Sequence, residues 1–192
     1  VTFDGYTYDL VPIGYQCWFA ENLRTQHYAN GDVIQGELGD AEWGSTTEGA
    51  VTVYGEGSSF VMQGSADELM NLTDYGRLYN WHAVDDPRGL CPSGWHVPTD
   101  NEFMMLEMEL GMNESEVNDM GWRGTDQGTQ MKSSPEDGPS WNGTNTSGFS
   151  ALAGGYRLGG DEIFAGSFWD QGSSTTFWTS SPIGVDGWRR DL

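Results

Sequence analysis

The sequence predicts an α+β fold. Three observations carry that reading. Side-chain character alternates with period two near the start, a well-capped helix follows the middle of the chain, and short aromatic strands return in the last third. No shift in composition divides the 192 residues, so 1–192 reads as a single domain.

Residues 1–23, "VTFDGYTYDLVPIGYQCWFAENL", read as paired strands. Tyr6, Tyr8 and Leu10 alternate with Thr7 and Asp9, and "FDG" and "PIG" mark turns. Residues 30–66 are rich in glycine and acids, and predict an excursion with little regular structure. "AVTVYG" is its strand-like piece. In "SADELMNL" (65–72) Ser65 and Glu68 have capping-box spacing and predict a helical turn. Residues 74–84, "DYGRLYNWHAV", predict a helix capped by Asp74, with Leu78, Trp81 and His82 on one face. "DDPRG" stops it.

Residues 94–98 form an extended lead-in to the best helix, 99–110, "TDNEFMMLEMEL". Thr99 is its N-cap and Glu102 closes a capping box. Asp100 and Glu102 suit the positive end of the helix dipole. Phe103, Leu106 and Leu110 form the apolar stripe, and Gly111 fits the C-terminal stop. Residues 112–148 are polar loops with Trp122 and Trp141 as anchors. "FSALAGGYR", "IFAGSFWDQG" and "TTFWTSS" then supply the second strand region.

Composition narrows the function. The chain holds 28 Gly, 9 Trp, 8 Tyr and 8 Phe, which suits a loop-rich fold around an aromatic core. Asp and Glu number 29 against 8 Lys and Arg, a net charge of −21. Such a surface repels nucleic acid and anionic membranes, keeps the protein soluble and attracts cations. No apolar run is long enough to insert in a membrane.

"GLCPSGWHVPT" (89–99) brings a cysteine and a histidine together. A nucleophilic cysteine needs a base in reach and a positive setting. In the extended "GWHV" run His96 faces away from Trp95 and Val97, and Arg88 is the nearby cation, so the stretch reads as scaffold. The two cysteines permit at most one disulfide, Cys17–Cys91. His27, His82 and His96 lack zinc-ligand spacing. "DELMNLTD" and "LGGDEIF" cluster carboxylates without matching an EF-hand, which leaves a structural calcium open and no other cofactor indicated. There is no G-x-S-x-G and no P-loop, and pairs drawn from 29 acids are not a signature of glycoside hydrolysis. The chain therefore reads as a non-enzyme.

Five blocks in order, "IGYQCWFAENLRT", "YGRLYNWHAV", "GLCPSGWHVPTDNEF", "SGFSALAGGYR" and "FWTSS", resemble the Fibrobacter succinogenes major paralogous domain. The resemblance implies a C-type-lectin-like fold shared with formylglycine-generating enzymes, with two main helices, short twisted antiparallel sheets and long irregular loops. It implies an extracellular, cell-surface or virion-associated protein. Some members are variable proteins of diversity-generating retroelements, whose C-terminal segment is a hypervariable ligand-binding surface. The copper-holding cysteine pair of the enzymes has no counterpart after Cys91, and the calcium-lectin sugar motifs E-P-N, Q-P-D and W-N-D are absent. The family also continues to a closing strand bearing the usual partner of Cys91, whereas this sequence ends at "GWRRDL". Without that strand a sheet edge is expected to be exposed.

The resemblance implies a ligand-binding surface in "GSFWDQGSSTTFWTSSPIGVDGWRRDL". Its candidates are Phe168, Trp169, Asp170, Ser173, Ser174, Thr175 and Thr176, then Ile183, Val185, Asp186, Trp188, Arg189, Arg190 and Asp191. Aromatic and arginine side chains supply contact energy there, and small polar residues supply adaptable hydrogen bonds. Trp178 is expected in the core. The expected partner is a protein or cell-surface ligand; a structural or adhesive module without diversification is the alternative.

Overall fold

The structure is a computed structural model that describes residues 1–160 and 163–192. The carboxylates Asp161 and Glu162 of "LGGDEIF" lie outside the described residues. The architecture is α+β, with short antiparallel strand pairs and short helices among long loops.

Strands β1 (Thr2–Phe3) and β2 (Tyr6–Thr7) pair through a tight turn. Asp4 and Gly5 adopt φ 47° and 78°, as the "FDG" signal requires. Strands β3 (Leu10–Ile13) and β4 (Gln16–Phe19) form the next hairpin. The 30–66 excursion is more ordered than expected. Helix α1 (Asp40–Ser45) buries Trp43, and β5 (Val51–Thr52) is fully buried.

The region 65–84 departs from the sequence expectation. Helix α2 (Glu68–Tyr75) is capped by Asp67, whose carboxylate accepts from Met70 N; Ser65 instead accepts from Asp67 N. Gly76, at φ 75°, ends this helix. There is thus no single helix over 74–84. Leu78–Tyr79 is strand β6, paired with β5, and a one-turn helix α3 (Trp81–Val84) follows under an Asn80 cap. The spacing of Leu78, Trp81 and His82 was mimicry; ladder bonds to Val51 and Thr52 override it, and His82 is exposed.

Helix α4 (Asp100–Glu109) follows the sequence expectation. Thr99 and Glu102 form the capping box, and Phe103 and Leu106 are buried. Beyond it lie a 3-10 turn (Glu116–Asn118) and helix α5 (Gln127–Met131). Trp141 anchors this region, but Trp122 does not: it is 85% exposed. Strands β7 (Tyr156–Arg157) and β8 (Phe168–Trp169) pair, and β9 (Thr176–Ile183) and β10 (Asp186–Asp191) form the C-terminal hairpin.

Two larger apolar clusters, beside a small one of Leu38, Trp43 and Ala50, form the interior among the described residues. In one, Phe103 and Leu106 pack with Ile13, Met131 and Phe149, flanked by Trp18 and Phe177. In the other, Tyr28, Ile34, Val51, Ala83 and Leu90 pack with Tyr79, Cys91 and Val97. Arg157 is a buried tie between loops. Its guanidinium lies 4.6 Å from the ring centres of Trp43 and Phe168, and it donates to Gly166 O at 2.7 Å and Leu38 O at 2.9 Å. Burial lowers its pKa to about 10.

Candidate functional site

The C-terminal hairpin is fastened at its base and free at its tip. Backbone, ion-pair and ring contacts bind it to the body. Ser180 N donates to Pro98 O at 2.8 Å, and Asp100 N donates to Ser181 Oγ at 3.0 Å, joining β9 to the start of α4. Arg190 reaches from β10 onto the same helix, where it pairs with Asp100 and, at 3.5 Å, with Glu107. Arg123 completes the cluster on Glu107. Gly187 brings the β10 backbone flat against the buried Trp81 ring, which packs in turn on Trp178 at 5.8 Å. Trp178 is half-buried and donates its indole N–H to Tyr79 O at 2.9 Å. The ladder slips between Gly187 and Arg189, so Thr179–Ser181 bulge toward the helix.

The expected ligand residues divide into three groups. Phe168 and Thr175 are core, at 0% and 4% exposure, and cannot meet a ligand. Phe168 packs on Tyr54 at 4.9 Å and under Arg157. The strand alternation that turns Trp169 outward turns Phe168 inward. Arg190 is corrected as well: its side chain is only 13% exposed and serves as the hairpin's fastening.

The second group borders one open cavity of ≈ 2050 Å³ whose lining reaches well beyond the hairpin, to Trp43, Met104 and Trp122. It comprises Asp170, Ser174, Thr176, Ile183, Asp186, Trp188, Arg189 and Asp191. Thr176 Oγ1 donates to Asp191 at 2.8 Å, and Arg189 lies 3.6 Å from Asp191. Tyr156, not singled out from the sequence, faces this cluster. Its phenol is pushed up by burial and then by the Asp170 carboxylate, while Arg189 acts the other way. Val185 stands at the tip, fully exposed, and Ser173 is exposed in the preceding turn.

Trp169 belongs to a third group. It packs edge-on to Phe164 at 5.8 Å and tilted against Phe60 at 6.2 Å, and its indole donates to Ser167 Oγ at 2.6 Å. Phe60 comes from a distant loop, whereas Phe164 lies in the loop just before β8. The pairing of residues 60–62 beside β8 is what brings Phe60 in, so no local signal announced it.

"GLCPSGWHVPT" is scaffold in the structure. Cys91 packs into the second core cluster, and burial pushes its thiol up to about 11. His96 is exposed and meets Glu102 at 2.8 Å. Burial raises Glu102, but the Thr99 N–H, His96 and the Thr99 hydroxyl outweigh it and hold the carboxyl below its ordinary value. Cys17 and Cys91 are both free thiols. Among the described residues no three His, Cys, Asp or Glu side chains are grouped to hold a metal ion. Of the carboxylates of "DELMNLTD", Asp67 is spent as the cap of α2.

A family model, the Fibrobacter succinogenes major domain, matches residues 11–189. The chain belongs to this family. No curated protein and no solved structure matches the chain. The matched span begins within β3 and takes in the hairpin up to Arg189. In this member of the Fibrobacter succinogenes major domain, the blocks that mark the family build the frame around α4, whereas the hairpin tip (183–186) lies between the "FWTSS" block and the fastening at Gly187 and Arg190.

Proposed function

We propose that the protein is a non-enzymatic ligand-binding protein, a C-type-lectin-like scaffold whose C-terminal hairpin presents a tunable surface. The observation that carries the reading is the division within that hairpin. Arg190, Gly187 and Ser181 hold it to the body, while Ile183, Val185, Asp186 and Arg189 are exposed. A rigid scaffold with side chains free to change is what a receptor needs. Exposed aliphatic and charged side chains at a hairpin tip suit contact with a protein or another cell-surface component. On this reading the protein works outside the cell, at a cell surface or on a virion, and its C-terminal coding segment is diversified by a retroelement.

Two measurements test the proposal. A pull-down with the purified protein from its native host or prey should yield a partner that Val185→Glu or Arg189→Glu no longer captures, with folding unchanged. Retention of that partner by both variants refutes the site. A DNA copy of the C-terminal coding segment nearby, differing mainly at adenines and accompanied by a reverse-transcriptase gene, supports diversification. Its absence leaves the adhesive module without diversification as the surviving reading.

A further inference from the structure

Three aromatic rings meet on the surface beside β8. Phe60 lies 6.1 Å from Phe164 and 6.2 Å from Trp169, and Phe164 lies 5.8 Å from Trp169. Phe60 is 41% exposed and Phe164 49%. Strand phase puts them there. Val61 bridges Phe168 in parallel, with Phe168 N donating to Phe60 O and Met62 N to Phe168 O. Val61 and Phe168 therefore share the inward face, while Phe60, Met62 and Trp169 share the outward one. Met62 is exposed as well.

The rings are held in place from below. The Ser58 hydroxyl donates to Phe60 O at 3.0 Å and accepts from Phe60 N at 3.1 Å. Ser59 N donates to the Asp40 carboxylate at 3.0 Å. The Trp169 indole donates to Ser167 Oγ, whose own hydroxyl donates to Phe164 O at 2.5 Å. Gln171 then ties the two segments together. Its amide donates to the buried Asn71 at 2.8 Å, and its carbonyl accepts from Ser65 N at 2.7 Å. A bonded frame thus keeps apolar rings in water, with Ser58, Ser59 and Asp40 as a polar rim. An exposed apolar patch with such a rim marks an interaction site.

We infer that this aromatic face docks a basic segment of another protein, with an arginine side chain laid on the rings. Ring faces attract a guanidinium within about 6 Å of their centres, and its planar, weakly hydrated group stacks on them. The side chain of Arg157 beneath β8 is 0% exposed, so its charge is not presented to a partner, whereas Asp40 is partly exposed at the rim. The whole chain carries −21. That field draws in a basic segment and repels both a second copy and an acidic partner. The three rings lie outside the lining of the cavity beside the hairpin, and the inference does not rest on the role of the hairpin tip.

The test is NMR on the full chain, with the blocked peptide acetyl-Gly-Arg-Leu-Arg-Gly-amide as probe. The indole N–H signal of Trp169, assigned by its loss in Trp169→Phe, should shift and saturate as peptide is added, together with the amides of Ser59 and Phe164. The same peptide with glutamate for arginine should shift none of them. Phe164→Lys, and Phe60→Ser combined with Phe164→Ser, should each weaken binding by about tenfold or more, with the fold checked by near-ultraviolet circular dichroism. Trp122→Ser, which removes another exposed ring, should leave binding unchanged. Equal binding by the glutamate peptide, undiminished binding by both folded variants, or shifts confined to other residues overturn the inference. Shifts of these signals that grow with protein concentration in the absence of peptide overturn it too, by making a second copy the occupant.

Discussion

Gly187 should tolerate no side chain, and the cost can be worked from its surroundings. Its φ lies outside the left-handed region, so an alanine there meets no backbone strain. The obstacle is Trp81. An added methyl would sit 2.1 Å from ring carbon Cζ3 and 2.3 Å from Cε3. Ordinary carbon contact is about 3.5 Å, so hairpin and ring must part by roughly 1.4 Å. The ring is buried and packed on Trp178, and the hairpin is pinned on α4, so neither moves freely. Overpacking of this kind costs about 2 kcal/mol, within the ordinary 1–3. Gly187→Ala should therefore lower Tm by about 4–8 °C for a chain of this size. Urea unfolding followed by tryptophan fluorescence measures the same loss. In a Trp81→Leu background the glycine substitution should cost less than about 0.5 kcal/mol, because the clashing atoms are gone. Gly128→Ala is the control: its methyl would meet only the flexible Leu192 Cδ2 at 3.4 Å, and helix propensity favours it. An unchanged Tm in Gly187→Ala, or an undiminished cost without Trp81, refutes the packing argument.

The remaining predictions concern charge and thiols. Arg190→Met should destabilise the fold by about 3 kcal/mol, since it strands Asp100 and leaves Glu107 to Arg123 alone, whereas Arg189→Ala should stay within about 0.5, as measured by urea unfolding. An aromatic disulfide reagent at pH 8 should modify Cys17 alone; with its thiol near 11, Cys91 is about one part in a thousand thiolate and should react only after denaturation. Hydrogen bonds from Arg88 lower the folded pKa of Asp86 from 3.8 to about 2 despite some desolvation. Since the folded value is the lower one, its contribution is complete above about pH 4 and disappears as pH falls toward 2; Asp86→Asn should flatten the acid limb of the stability curve there.

What was legible in the sequence was local. The turn at Asp4–Gly5 and the Thr99–Glu102 box each depend on a few adjacent residues, and both stand where expected. The 74–84 helix failed because helical spacing carried less weight than the β5 ladder, which lies far off in sequence. At the site, the exposed tip was legible from its composition. The inward turn of Phe168 was not, since a two-residue strand is too short to show its phase. Arg190 and Arg189 look alike in sequence. Only the register of β10 over α4 decides that one is a fastening and the other is free.

The placement of that fastening has a bearing on how the protein can change over time. Its three points, Ser181, Gly187 and Arg190, are interleaved with the exposed positions and do not extend through them. Replacements at 183, 185, 186 or 189 therefore act on side chains that no part of the interior depends on, and most should be nearly neutral for stability. Folding is thereby insulated from novelty: many tips can be tried on one body without each trial first having to prove that the body still forms.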